Sequence, residues 1–453
     1  MSGRTKDATH ESEIAFGNRA GGDTSFWHPF ANMAQVIREG EIIVVRGEGC
    51  EVFDSEGRGY IDAMAGLWYC NVGFGRESII AAAERQMREL PAYSAFGPYA
   101  NKPALELSER VSSMAPLEGA KIFLTSGGSD AIDTAAKLVR RYWDAKGKPE
   151  KRVLVGRRHA YHGMHAYGTS LAGIPENVKG FGEIIPEVAH VPHDSVEALA
   201  AELERLGPDR VGAFVGEPVI GAGGVIPPPE GYWPQVAELC RENDVLLIAD
   251  EVITGWGRLG ELFGCERFGF EPDLITFAKG ITSGYLPLGG VIVGQRLQEP
   301  FWSADGTWFR HGYTYSGHAA ACAAALANLD VIEEEDLVGR VSALEPIWVE
   351  KIRSLAQHPL VGDARAIGLL GAVELAPEAL ETRSDLAEEV VANLRREGVL
   401  TRSLRGNAIQ LSPAFVITEG QINDLVLSLE RALEAVKPVT PDAAKLARST
   451  TGP

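Results

Sequence analysis

The sequence predicts an α/β protein in which a large domain, with a mostly parallel mixed sheet flanked by helices, is joined to a smaller α+β domain. In the middle of the chain, short apolar runs alternate with amphipathic helical patterns, which is typical of a parallel sheet with helices on both faces. These runs are continuously apolar, as expected of strands buried on both sides. Both chain ends carry strand-like runs separated by turn signals, so we assign both ends to the smaller domain. The predicted boundaries are residues 1–75 for the N-terminal segment and part of the small domain, 76–335 for the large domain, and 336–453 for the C-terminal small domain.

Composition and charge exclude several classes of partner. The chain has 453 residues, 45% hydrophobic and 23% charged, with a formal net charge of −19. Such a charge disfavours nucleic acid and anionic membrane surfaces, because both are negative. The five scattered cysteines contain no CxxC pair, which argues against a disulfide framework or a zinc site and favours the cytoplasm.

The termini carry no targeting or membrane signal that we recognise. The first sixteen residues are polar and lack the apolar core of a signal peptide. No apolar run approaches the length needed to cross a bilayer. We expect the last stretch, from residue 436 onward, to be a frayed tail.

The elements of the smaller domain come from two separated stretches. Residues 40–66 contain apolar runs split by the turn signal "DSEGRG", which predicts small antiparallel strands. Near the C-terminus, "RAIGLLGAVEL" and "AIQLSPAFV" predict strands. A helix over 384–398 is predicted to be closed by Gly398.

A strand at Ile122–Leu124 leads into the small residues of "TSGGSD" and then into an amphipathic helix. Small residues before a helix let backbone N–H groups approach a phosphate, which the helix dipole also favours. Gly128 and Ser129 are our candidates for that contact. An ordinary Ser/Asp cap is the alternative, and the pattern is neither a Walker A loop nor GxGxxG.

The loop "HAYHGMH" places Tyr161 and His162 after the next strand. An aromatic side chain here would stack on a planar ring. A metal site is the alternative, because three histidines, His159, His162 and His165, lie close together in the sequence. Gly163 and the loop composition argue against the helix that would align them.

The strand Val245–Ala249 ends in two acids, Asp250 and Glu251. Buried acids need partners, and a protonated ring nitrogen such as that of pyridoxal phosphate is a good one. The alternative is that Asp250 caps the turn after the strand.

Lys279 follows the buried run of Leu274, Ile275, Phe277 and Ala278. Desolvation at a strand end lowers the pKa of an amine and makes it a nucleophile toward carbonyl groups. The alternative is a lysine that extends to solvent. Ligands of open parallel sheets lie at the carboxyl ends of strands, where all these motifs are predicted to meet.

Thr314 and Ser316 precede Gly317 and an alanine-rich helix. Their hydroxyls are candidates for a second phosphate contact or for plain helix caps. Together the motifs supply an amine, an acid, a phosphate loop and an aromatic plate at the strand ends of one sheet.

With these motifs the sequence resembles the class III aminotransferases, the ω-amino-acid group of fold-type I pyridoxal-phosphate enzymes. The resemblance spans about residues 25–430 and is carried by these segments: "GEGCEVFDSEGRGYIDAMAGLW", "SGGSDAIDTAAKLVRRY", "YHG", "GEPVIGAGGV", "LLIADEVITGWGR", "DLITFAKGITSGYLPLGG" and "GYTYSGHAAACAAAL". The combination of "ADEV" and "AKG" at this separation is specific for the class and not for one substrate.

The resemblance implies a pyridoxal 5'-phosphate cofactor and a role for each matched residue. Lys279 would bind the cofactor covalently and then move a proton, and Asp250 would pair with the ring nitrogen. The other implied cofactor contacts are Gly128 and Ser129 at the phosphate, Tyr161 and Val252 on the two ring faces, His162, Glu217, and Thr314 reaching the phosphate of a neighbouring subunit. The enzyme is therefore expected to be a homodimer with active sites at its interface.

The resemblance also implies a substrate pocket. Trp68 would form its wall beside Tyr161, and Arg402 would pair with an acceptor carboxylate, with Arg405 as the alternative because the spacing to "LSP" differs by one residue. Gly127 stands where the family carries a hydroxyl, so one phosphate contact is expected to be absent.

We therefore predict an aminotransferase that moves an amino group from an ω-amino acid such as β-alanine, or from a primary amine, to a keto acid, with pyruvate as the expected acceptor. The alternatives are an aminomutase or decarboxylase on the same scaffold, and a non-catalytic protein that binds the cofactor. The partners of the predicted aminotransferase would be small amines, amino acids and keto acids, with no nucleic acid, membrane or metal.

Overall fold

The structure, a computed structural model, describes residues 24–436. The predictions for the N-terminal stretch and for the tail after residue 436 lie outside these residues. The strands are β1 Val44–Glu48, β2 Glu51–Asp54, β3 Gly59–Asp62, β4 Lys121–Thr125, β5 Val153–Arg157, β6 Val188–Val191, β7 Val211–Gly216, β8 Leu246–Asp250, β9 Leu274–Phe277, β10 Gly289–Val293, β11 Val361–Ile367, β12 Leu370–Leu375, β13 Val399–Leu400, β14 Ser403–Leu404 and β15 Ala408–Leu411. The helices are α1 Met33–Glu39, α2 Ala65–Trp68, α3 Glu77–Glu89, α4 Lys102–Met114, α5 Gly128–Ala145, α6 Ala166–Leu171, α7 Val196–Leu206, α8 Tyr232–Glu242, α9 Gly264–Phe268, α10 Gln295–Trp302, α11 Ala319–Glu334, α12 Leu337–Ser354, α13 Pro377–Thr382, α14 Leu386–Arg396 and α15 Glu419–Glu434.

The central sheet has seven strands in the order β4-β10-β9-β8-β7-β5-β6. Strands β9, β8, β7, β5 and β6 run parallel, and β10 is antiparallel to both β4 and β9. The predicted α/β class with a mostly parallel mixed sheet is confirmed. The carboxyl ends of β5, β7, β8 and β9 therefore meet at one edge of the sheet.

Helices cover both faces of this sheet, which is why its strands are continuously apolar. Along β8, Leu246 and Ile248 pack with the apolar face of α5, and Leu247 and Ala249 pack in the cluster that contains Trp233 of α8. Successive residues of a strand point to opposite faces, so both sets are buried.

Two smaller sheets flank the central one. One has the order β1-β2-β3-β13, and its last pair is parallel, with Val399 opposite Ile61. The other is antiparallel, with the order β11-β12-β15-β14. The predicted antiparallel strands of residues 40–66 form β1 to β3, and the first sheet joins them to the C-terminal part of the chain. The domain boundaries themselves stay a prediction.

The helix predicted near the C-terminus is α14, and Gly398 follows it with a left-handed φ of 80°, as its closing role requires. Within residues 24–436, no helix has the length and apolar character that a membrane span needs.

Candidate active site

A cavity of about 470 Å³ opens at the carboxyl edge of the central sheet. Four neighbouring parallel strands each deliver a side chain to it: Tyr161 after β5, Glu217 after β7, Asp250 at the end of β8 and Lys279 after β9. We call these four residues the cofactor edge. Their convergence follows from topology, since the ends of adjacent parallel strands are neighbours in space.

Asp250 is buried and held by three hydrogen bonds. Its Oδ1 accepts from Thr276 Oγ1 at 3.0 Å and from the Val252 backbone at 3.1 Å. Its Oδ2 lies 2.7 Å from His162 Nδ1. Thr276 is opposite Asp250 in the register of β8 with β9, so the sheet itself orients the carboxylate.

His162 is 1% exposed, and its second ring nitrogen, Nε2, is buried with no hydrogen-bond partner among the described residues. The three histidines of this loop do not converge: His159 contacts Arg405, and His165 Nδ1 lies 3.4 Å from Asp130. No group of three or more His, Cys, Asp or Glu side chains in residues 24–436 has a metal-binding arrangement.

Lys279 lies two residues beyond the end of β9 and has a left-handed φ of 49°. Asn328 Nδ2 fixes the following turn by donating to the carbonyls of Gly280 and Ile281 at 2.9 and 3.0 Å. A Cβ on Gly280 would lie 2.3 Å from the Asn71 amide nitrogen, so only glycine fits there. The turn thus aims the lysine back into the cavity rather than along the strand.

The charge state of Lys279 is set mainly by burial. Desolvation lowers the pKa of its amine to about 8, although the carboxylates of Asp250 and Glu217 raise it. Arg402 acts in the same direction as burial. The amine is therefore much closer to its neutral, nucleophilic form near pH 8 than an exposed lysine is.

Glu217 and Tyr161 complete the cofactor edge. The Glu217 carboxylate accepts from the backbone N–H groups of Tyr161 at 3.0 Å and Gly221 at 2.8 Å, and burial raises its pKa. Burial also raises the pKa of the Tyr161 phenol. These bonds tie the loop after β5 to the end of β7.

The N-terminus of α5 borders the same cavity through Gly128 and Ser129. A Cβ on Gly128 would lie 2.9 Å from Val252 Cγ1, and one on Gly163 would lie 2.4 Å from Ser129 Oγ. Ser129 Oγ accepts from the Met164 backbone at 3.1 Å. Glycine at these two positions therefore allows Val252 and Ser129 to pack closely against the start of α5, where the N–H groups border the cavity.

A second group of residues, which we call the arginine wall, consists of Trp68, Arg402 and Arg405, which line the cavity, and of the buried Gln410, which contacts Arg402. The guanidinium of Arg402 lies 4.6 Å from the centre of the Trp68 ring. Arg402 Nε donates to Gln410 Oε1 at 2.9 Å, and burial lowers the pKa of the arginine. The Trp68 indole donates to Ser412 Oγ at 3.1 Å.

Arg405 lies in an exposed turn of the same loop. Its φ is 51°, and its Nη1 lies 2.6 Å from His159 Nδ1. Both arginines line the cavity.

Every residue of the predicted site lines this cavity except Thr314. Thr314 is exposed in the turn before α11, away from the cavity of its own chain. The roles of the site residues stay predictions.

Sequence reasoning missed the apolar lining, which includes Phe30, Leu67, Ile253 and Leu404. It also missed Gln410. The available signal was the single amide in the apolar strand "AIQL".

Comparisons with known proteins identify the family of the chain. A family model described as aminotransferase class-III matches residues 33–433. The putrescine–pyruvate aminotransferase of Pseudomonas aeruginosa is 40% identical over 429 residues, which cover 90% of this chain and 93% of that protein. The diaminobutyrate–2-oxoglutarate transaminase of Halomonas elongata is 36% identical, over 87% of this chain and 90% of that protein.

Solved structures are similar over the same length. An (S)-enantioselective omega-transaminase from Thermomicrobium roseum matches with a TM-score of 0.87 and 39% identity, covering 90% of this chain and 95% of that chain. A PLP-bound amine transaminase from an uncultivated Pseudomonas species matches with a TM-score of 0.86 and 35% identity, covering 91% of this chain and 99% of that chain.

Proposed function

The chain belongs to the class III aminotransferases, which use pyridoxal 5'-phosphate (PLP), and from this premise we propose that it moves the amino group of a primary amine or ω-amino acid to pyruvate. One observation carries the proposal. Lys279 and Asp250 lie at the ends of neighbouring strands and line one cavity, where Asp250 is buried and Lys279 is half-buried. An amine with a pKa of about 8 and a fixed carboxylate are the two groups that this chemistry requires.

The residues present fit PLP. The buried Asp250 carboxylate, which is held by three hydrogen bonds, suits a protonated ring nitrogen. The N-terminus of α5, with glycine at its first position, suits a phosphate. When bound, PLP supplies a carbonyl carbon for an amine and a ring that accepts the electron pair left when a neighbouring C–H bond breaks.

Within that chemistry the chain's own residues have separate tasks. Lys279 would hold the cofactor covalently and, as a free amine, would accept and return the proton of the reacting C–H bond. Asp250 would pair with the ring nitrogen, with His162 and Thr276 fixing the orientation of its carboxylate. Tyr161 and Val252 would enclose the ring.

The arginine wall supports a carboxylate-bearing acceptor. Arg402 presents a cation inside a mainly apolar cavity, which suits an apolar amine in one half-reaction and the carboxylate of a keto acid in the other. The relative from Pseudomonas aeruginosa is named for pyruvate, in line with this acceptor.

We also propose a homodimer in the cytoplasm. Large aromatic side chains are exposed on the single chain, including Trp27 at 83%, Trp308 at 70% and Tyr315 at 64%. Exposed aromatic surface of this kind marks interfaces, and Tyr315 is next to Thr314, the residue predicted to reach a neighbouring subunit. The five cysteines are all buried free thiols, in line with a reducing compartment.

The test is to mix the yellow holoenzyme with a panel of amines and ω-amino acids and to record which of them removes its colour. Subsequent addition of pyruvate should restore the colour and form alanine. Release of carbon dioxide would favour a decarboxylase, turnover without a keto acid would favour an aminomutase, and no colour change with any amine would favour a non-catalytic protein.

A further inference from the structure

We propose that Gln410 is a positioning residue that sets the affinity of the site for the carboxylate of the keto acid by holding Arg402 against Trp68. The inference rests on the proposed function and deepens it, because it names the device that lets one cavity accept both an amine and a carboxylate.

The geometry around Gln410 ties it to Arg402 twice. The backbone N–H of Gln410 donates to the carbonyl of Arg402 at 3.1 Å, and its side-chain Oε1 accepts from Arg402 Nε at 2.9 Å. Gln410 is 0% exposed and lies in β15, opposite Ala372 of β12. The acceptor is therefore fixed by a paired strand within the sheet.

This bond orients the guanidinium for a ligand. The Nε–H group is used by Gln410, and one face of the guanidinium lies 4.6 Å from the Trp68 ring centre. Neither Nη nitrogen of Arg402 has a hydrogen-bond partner among the described residues. The two Nη groups remain available for the paired hydrogen bonds by which arginine binds a carboxylate.

Stability does not account for an amide at this position. Gln410 Nε2 is buried and has no partner in residues 24–436. Exchanging the two ends of the amide would not help, because Arg402 Nε can only donate. A buried amide with an unsatisfied NH₂ is destabilising relative to an apolar side chain of similar size, and its neighbours in the strand, Ile409 and Leu411, are apolar.

The neutral charge of Gln410 matters as much as its bond. An amide oxygen orients Arg402 without neutralising it, so the full positive charge is left for the substrate. A glutamate at 410 would accept the same hydrogen bond but would pair with Arg402 and compete with the substrate carboxylate.

The test compares two acceptors with one amine donor: pyruvate, which has a carboxylate, and an aliphatic aldehyde, which has none. The variants are Gln410→Leu and Gln410→Glu, with Ile409→Val as a control on the same strand. For Gln410→Leu we expect the KM for pyruvate to rise about 10-fold, the effect of losing a hydrogen bond to a charged group. The KM for the aldehyde and the kcat should stay as in the wild type. The melting temperature should not fall.

For Gln410→Glu we expect a larger rise in the KM for pyruvate than for Gln410→Leu, again with little change for the aldehyde. Ile409→Val should leave both constants as in the wild type. Equal changes for both acceptors, or a lower kcat with an unchanged KM ratio, would show that Gln410 only supports the fold and would overturn the proposal.

A binding measurement separates this inference from the proposed function. Calorimetric titration of the holoenzyme with propionate, an unreactive carboxylate, should give weaker binding for Gln410→Leu and weaker still for Gln410→Glu. Equal affinities would overturn the role of Gln410 even if transamination is active. The expected order would support it even if the true acceptor is not pyruvate.

Discussion

The cofactor edge and the arginine wall border one cavity, but they are built differently. The cofactor edge takes each side chain from the end of a strand in the central sheet. The arginine wall takes Trp68 from a short kinked helix, Arg402 and Arg405 from the segment between β13 and β15, and Gln410 from β15. The cofactor edge is thus formed by a single sheet, whereas the arginine wall brings together parts of the chain that are far apart in sequence.

The difference shows in how the charged groups are held. Asp250 makes three hydrogen bonds, to Thr276 of the neighbouring strand β9 and to Val252 and His162 in the adjoining loops. Arg402 makes one side-chain hydrogen bond and stacks on the Trp68 ring. Arg405 lies in an exposed turn beside His159. A rigid edge suits the bond-breaking step that every substrate shares, whereas a lightly held wall suits a part of the site that meets different substrates. Changes at the edge should therefore affect all substrates alike, and changes at the wall should separate carboxylates from other acceptors.

The largest effect is expected from Lys279→Ala. Removing the amine that moves the proton should lower kcat by at least about 10²–10⁴-fold with every pair of donor and acceptor. The measurement is the initial rate of alanine formation from pyruvate and of amine formation from an aldehyde. Cofactor should still bind without covalent attachment, as checked by dialysis and mass spectrometry, and normal turnover by this variant would refute the assignment of Lys279.

A smaller but equally general loss is expected from Asp250→Asn. The amide keeps the size of the side chain but removes the charge that would hold a protonated ring nitrogen, and the loss of such an electrostatic contact costs about 10²–10³-fold in kcat. The loss should be the same for pyruvate and for an aldehyde acceptor. A loss confined to pyruvate would contradict the separation of the two regions.

The two regions also differ in how far the sequence predicts them. Lys279 and Asp250 each follow a short apolar run, and the ends of parallel strands must meet at one edge, so residue order alone brings them together. The loop of Tyr161 and the start of α5 are predictable for the same reason.

The arginine wall is not predictable in this way. The position of Trp68 depends on a left-handed backbone, with a φ of 61°, and on a hydrogen bond to Ser412 more than three hundred residues away. Whether Arg402 or Arg405 points inward depends on the path of a short loop, which residue spacing does not fix. Thr314 is exposed in the single chain, so its predicted contact with a neighbouring subunit stays untested.

Arg402→Ala and Arg405→Ala form a matched pair within the arginine wall. Loss of charged hydrogen bonds to a carboxylate costs about 1.5–3 kcal/mol, so the KM for pyruvate should rise about 10- to 150-fold for Arg402→Ala. An exposed charge contributes about 0–1 kcal/mol, so Arg405→Ala should change this KM by about fivefold at most. The KM for an aldehyde acceptor should change little in either variant, and the reverse order of the two effects would assign the carboxylate to Arg405.

The smallest expected effect tests whether the two regions interact electrostatically. In the cofactor-free protein, burial lowers the pKa of Lys279 to about 8, so the fraction of neutral amine rises as the pH passes from 7 to 9. The rate at which acetic anhydride acetylates Lys279, read by mass spectrometry against an isotopically labelled standard peptide, should rise through this range and level off above it. Because Arg402 lowers this pKa and Asp250 raises it, Arg402→Ala should move the midpoint to higher pH and Asp250→Asn to lower pH.

Opposite shifts in these two variants would mean that the arginine wall helps to keep the lysine of the cofactor edge neutral, in addition to binding a carboxylate. Arg405→Ala is the control, since Arg405 is not among the groups that act on the pKa of Lys279. A midpoint that stays fixed in Arg402→Ala would show that solvent in the cavity screens the two cations from each other. In that case the two regions act independently, and the low pKa of Lys279 comes from its burial alone.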